Sequence, residues 1–136
     1  MDLPVLAAGG TAGPDDVRAA LDAGATAVMA GTALLLATEA GTSAVHRAAL
    51  TDAASGEPLV THAFTGRPAR ALPNAFLAEH DGHAPLGYPA LHHLTSPIRR
   101  AAAGSGDAGH ANLWAGTGYR ATRPAAAADI IRTLAP

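Results

Sequence analysis

Two glycine-bearing segments near the start of the chain carry the residue types best suited to chemistry. Gly9-Gly10 closes one short apolar run, and Gly31-Thr32 closes a second. A backbone without Cβ can turn sharply and let a ligand approach closely. Backbone N–H groups at two such ends, with the Thr32 hydroxyl, are donors that could converge on one anion. Gly9-Gly10 alone reads as a turn. The pair at this spacing leaves two readings open, paired turns or a phosphate site.

The elements that would position these donors form a βαβ unit over residues 1–32. Leu3 to Ala8 is apolar enough for a buried strand. Pro14, Asp15 and Asp16 open a helix, since proline suits the first turn and acids suit its positive end. Val17, Ala20, Leu21 and Ala25 recur at helical spacing, and Gly24 is a C-terminal stop. Thr26 to Ala30 is the second strand. A right-handed crossover makes the strands parallel, so both glycine ends leave the sheet at one edge.

Farther along, Ala33 to Ala37 is a short helix whose start aims at the same anion. Ser43 caps a helix that runs to about Ala54, and Ser55 to Pro58 is a turn. Leu59 to Phe64 is extended, and Thr65-Gly66-Arg67-Pro68-Ala69-Arg70 is a loop. Arg67 and Arg70 are either anion clamps or ties from this loop to carbonyls and acids, and the second reading is preferred. Asn74 to His80 is helical. Tyr88 to Ala103 is helical with a break at Ser96-Pro97, and Gly104 to Asp107 turns. Pro124 starts a final helix whose apolar stripe is Ala127, Ile130, Ile131 and Leu134.

Several chemistries find no support. The seven histidines lack metal-ligand spacing: His80 and His83 flank a glycine, while His92 and His93 point about 100° apart on a helix. Each histidine reads as a surface or loop residue. There is no GxSxG, and a Walker lysine is ruled out because all nine basic residues are arginines. With no cysteine, there is neither thiol chemistry nor a disulfide framework. A net charge of −2 with scattered arginines argues against nucleic acid as a partner. No apolar run approaches the ~20 residues that span a bilayer, so no membrane is expected. Met1-Asp2 leads straight into a strand, without a signal peptide, and a cytoplasmic location is the expectation. The 49% hydrophobic and 15% charged content is that of a globular chain.

The stretch GGTAGPDDVRAALDAGATAVMAGT, followed by ALLLATEAGTSAVHRAAL, AFTGRPARAL and LWAGTG, resembles the nitronate monooxygenase family in order and over nearly the whole chain. The resemblance implies an α/β fold, the C-terminal portion of a TIM (β/α)8 barrel. It would comprise the last two strands, a helical insertion over residues 33–123 lying over the active-site end, and a final barrel helix over 124–136. Such barrels take ~250 residues, so strands one to six would be missing. The cofactor implied is FMN, its phosphate held by Ala8, Gly9 and Gly10 from one strand end and Met29, Ala30, Gly31 and Thr32 from the other. The substrates implied are an alkyl nitronate and molecular oxygen. The family's catalytic histidine lies N-terminal to this segment, so no catalytic residue is assigned.

The resemblance has departures. Thr117 stands where the family has Gln, Met29 where Gln is frequent, and Ala33-Leu34 where Arg-Phe is common. These change the side chains offered to the flavin and leave the backbone sites intact. Trp114 is a packing anchor or, alternatively, a pocket wall. On its own the chain is expected to be inactive, and its partner would be the missing N-terminal barrel half or a second copy. The alternatives are a related FMN barrel, such as a flavin-dependent enoyl-acyl-carrier-protein reductase, and a non-catalytic truncated fragment.

Overall fold

A computed structural model describes residues 3–136; Met1 and Asp2, read above as leading straight into the first strand, lie outside the described residues. The architecture is mixed α/β. The chain divides into two compact units. One is formed by the chain up to Thr42 together with Gly116–Pro136, the other by Ser43–Ala115.

In the discontinuous unit, β1 (Leu6–Ala8) pairs in parallel with β2 (Ala27–Met29), Leu6 opposite Ala27 and Ala8 opposite Met29. Between them runs α1 (Pro14–Asp22), with Pro14 in its first turn. The Asp16 carboxylate accepts hydrogen bonds from the N–H groups of Ala12 and Gly13, so α1 caps its own start. The strands are not buried as expected: Leu6 is 57% and Met29 58% exposed. Among the described residues no third strand joins this sheet, so its apolar side chains lack the cover that parallel strands usually have on both faces.

After β2 the expected helix is a single 3-10 turn, Thr32–Leu34. The closing helix, α5 (Ala127–Leu134), begins three residues beyond Pro124. Its cap comes from far away in sequence: the Ala127 N–H donates to Glu39 Oε2, and Thr38 N–H donates to the Ala125 carbonyl. The Ala127 N–H, and after it the Thr38 hydroxyl, hold the Glu39 carboxyl below its ordinary value. Ile130 is buried with Ala33 and Ala37, and Leu134 packs on them. Ile131, placed in the apolar stripe from sequence, is instead 57% exposed.

Ser43–Ala115 holds the aromatic core. Here α2 (Ala44–Thr51) is capped by Ser43 Oγ, which accepts from the His46 N–H. Strand β3 (Leu59–Thr61) pairs antiparallel with β4 (Ala69–Ala71), and Trp114 bridges to Ala71. The expected loop thus ends in a strand, specified by its partners and not by local propensity. Asn74 caps α3 (Ala75–His80), accepting from the Leu77 N–H while its amide donates to the carbonyls of Ala108 and Ala111. Phe64 is fully buried, stacked on Phe76 and edge-on to Trp114. Trp114 is thereby a packing anchor.

The last helix of this unit, α4 (Ala90–Ser105), runs unbroken through Pro97, contrary to the expected break, and ends at Gly106 in the left-handed region. Tertiary bonds bracket the proline. Thr95 Oγ1 donates to the Phe64 carbonyl, and the Arg99 guanidinium reaches back to Thr95 Oγ1 and the His92 carbonyl.

His46 is not the surface residue its type suggested. It is buried, with Nε2 2.9 Å from the Trp114 carbonyl. A carbonyl only accepts, so Nε2 carries the proton and the neutral ring donates. Burial holds the ring's pKa below its ordinary value of 6.5, against a smaller opposing effect of this bond. Unfolded, the ring titrates near 6.5; folded, it resists protonation, so the folded state binds fewer protons in that window. His46 therefore contributes stability fully above about pH 6.5 and loses it as pH falls toward the lower folded value. Urea midpoints measured across pH 5 to 7 should drop toward acid. His46→Gln, which keeps a donor, should flatten that slope. An equally steep slope in the variant would remove His46 as its source.

Candidate functional site

Parallel pairing of β1 and β2 brings the two glycine turns to one edge, and a cleft of about 210 Å³ lies there. Ala8, Gly9, Gly10, Met29, Gly31 and Thr32 line it, as do Thr11, Gly116 and Gly118. Six of the seven residues assigned from sequence are therefore brought together. Ala30 does not line the cleft; it packs on the cluster of Ala33, Ala37 and Ile130.

Gly9 and Gly10 have φ of 100° and 75°, the left-handed region that disfavours a side chain. Gly31 has an ordinary φ of −108°, and a Cβ there would meet nothing within 4 Å. Its glycine matters through the open space beside the backbone and not through strain.

No lining residue is charged. An anion here would be held by backbone N–H groups and by the hydroxyls of Thr11 and Thr32. The N–H groups of Gly10 and Thr11 donate to no carbonyl or side chain among the described residues. Just before α1, the N–H groups of Ala12 and Gly13 are already taken by the Asp16 carboxylate. Met29 adds a thioether where the family often has an amide.

Thr11, Gly116 and Gly118 escaped the sequence reading. One signal was available: the triplet Ala-Gly-Thr at 30–32 recurs at 40–42 and at 115–117. The last copy comes back to the first, and the Gly116 N–H donates to Thr32 Oγ1 at 2.9 Å. A larger cavity of about 360 Å³ lies among Pro14, Ala33, Arg123, Asp129 and Thr133 and shares Gly118 with the cleft.

Elsewhere, the arginines of the GRPAR loop are tied down. Arg70 donates to the Pro58 carbonyl, and the Arg67 guanidinium lies 5.0 Å from the centre of the Tyr88 ring. Gly66 is buried, and a Cβ on it would fall 2.6 Å from the backbone nitrogens of Gly87 and Tyr88. Among the described residues no three His, Cys, Asp or Glu converge as metal ligands, and no helix is long and apolar enough to cross a membrane.

A two-strand parallel unit with paired glycine turns defines an α/β protein with a cleft at its strand ends, and comparison with known proteins narrows the class. The sequence profile of the nitronate monooxygenase family matches residues 1–136, and the chain belongs to that family. It is 40% identical over 135 residues to the nitronate monooxygenase of Pseudomonas aeruginosa, covering 97% of this chain and 38% of that protein. A probable nitronate monooxygenase of Staphylococcus saprophyticus is 33% identical, with 98% and 38% covered. The nitroalkane oxidase of Streptomyces ansochromogenes superposes with a TM-score of 0.95 at 48% identity, over 98% of this chain and 39% of that one. FabK from Thermotoga maritima, at 24% identity and a TM-score of 0.74, is alike in fold. The chain thus spans about two fifths of the length of these relatives.

The two turns should respond differently to a methyl group. Gly10→Ala forces a side chain into the left-handed region and should destabilise by about 1 kcal/mol or somewhat more. Gly31→Ala, with open space and ordinary dihedrals, should be nearly neutral. Thermal unfolding of the two variants checks this, and equal losses would contradict the geometry.

Proposed function

We propose that this chain is the phosphate-holding, C-terminal part of an FMN-dependent nitronate monooxygenase that oxidises alkyl nitronates with molecular oxygen. One observation carries the reading. In a member of this family, two glycine turns meet at the ends of paired parallel strands and line an uncharged cleft with backbone donors. That cradle fits a phosphate: Gly9 and Gly10 present bare backbone, and Thr11 and Thr32 add hydroxyls.

FMN when bound supplies the redox chemistry, taking electrons from the nitronate and passing them to oxygen. The residues of this chain bind the phosphate end and fix the cofactor's position. The 48% identity to the nitroalkane oxidase favours nitro compounds over the enoyl substrates of a related reductase. The proposal includes a (β/α)8 barrel of which β1 and β2 are the last strands. Its support is the exposure of Val5, Leu6 and Met29, apolar positions that a neighbouring strand or helix would cover. The missing cover would come from preceding barrel strands or from a second copy.

The test is made on the full product of the gene. It should purify with FMN and consume oxygen when given an alkyl nitronate. Gly31→Asp places a carboxylate beside the phosphate without a steric clash, and should abolish flavin retention on gel filtration. Flavin content unchanged by that substitution would sink the assignment. Residues 1–136 alone should neither hold FMN tightly nor turn over. Stoichiometric binding with turnover by that segment would show that it needs no further strands.

A further inference from the structure

We propose that Gly116 is a positioning residue that makes the cleft selective for a phosphorylated ligand by committing the Thr32 hydroxyl to donate; this rests on the cofactor reading above. The Gly116 N–H donates to Thr32 Oγ1 at 2.9 Å. A hydroxyl has one proton and two lone pairs, and with one lone pair held by the Gly116 N–H its proton turns away from that group toward the cleft. Accepting one hydrogen bond also strengthens the bond the hydroxyl donates. A phosphate oxygen only accepts, so it matches this arrangement better than a ligand hydroxyl does, and its charge strengthens the bond.

The approach depends on bare backbone. A Cβ on Gly116 would stand 3.3 Å from Thr32 Oγ1, and one on Gly118 would stand 2.4 Å from the Ala12 Cβ. Residues 116–118 thus close the cleft as a third wall, 84 residues along the chain from Thr32 at the hydrogen bond. Because no charged side chain lines the cleft, discrimination falls to such neutral donors.

FMN and riboflavin differ only in the phosphate, so the ratio of their affinities isolates this contact. The full gene product and three variants are titrated with each flavin, following fluorescence quenching. Thr32→Val should weaken FMN binding about tenfold or more while moving riboflavin by no more than about twofold. Thr32→Ser, which keeps the hydroxyl, should retain the preference. Gly116→Ala leaves the hydroxyl present but crowds its oxygen, and should also lower the FMN preference. Riboflavin binding reports on the fold of every variant. Equal losses for both flavins, an unchanged preference in Thr32→Val, or a full preference in Gly116→Ala would each overturn the inference. An unsubstituted protein that binds both flavins equally would instead overturn the phosphate reading beneath it.

Discussion

Leu6, Ala7 and Ala8 sit opposite Ala27, Val28 and Met29 in a parallel ladder, and parallel strands finish at the same edge. Everything at the cleft follows from that register. A slip of one residue would turn each side chain to the other face and carry one glycine turn away from its partner. The crossover helix is capped at its start by its own Asp16, which takes the N–H groups of Ala12 and Gly13. The cleft at this edge is lined by Gly9, Gly10, Thr11, Gly31 and Thr32 and by no residue of α1.

The two units hold together by different physics. Ser43–Ala115 is organised by aromatic burial, with Phe64 stacked on Phe76 and Trp114 set against it. Its polar groups are satisfied around that core: Thr61 Oγ1 donates to Asp81, His46 donates to the Trp114 carbonyl, and Thr95 donates to the Phe64 carbonyl. The other unit has a small aliphatic cluster at Ala33, Ala37 and Ile130 and relies more on directed bonds. There Glu39 caps a helix that begins 88 residues later. That cap needs an ionised carboxylate, and the bonds it makes keep Glu39 charged further into acid than an isolated side chain.

Features set by neighbouring residues were legible in the sequence. Pro14 with two acids announced α1, Ser43 and Asn74 announced their helices, and glycine after an apolar run announced both turns. Features set at long range were not. Strand β4 exists because β3 and Trp114 pair with it, although Ala69-Arg70-Ala71 has no β-branched residue. Helix α4 survives Pro97 because Thr95 and Arg99 are anchored on either side. The start of α5 was misplaced at Pro124 because its cap is Glu39, invisible to any local window. The third wall of the cleft was missed for the same reason, since Gly116 meets Thr32 only in the folded chain.

The bonds from Thr32, Thr38 and Glu39 to residues 116–127 form a closed seam. Seen from that seam, Ser43–Ala115 is one excursion with both of its ends pinned. Closing a loop grows more expensive only as the logarithm of its length, about 0.6 kcal/mol for each doubling. The excursion can therefore lengthen, shorten or be traded for another sequence with little effect on the cradle, provided the seam residues stay. Evolution can vary what lies beyond the seam on one timetable and the glycine turns on another.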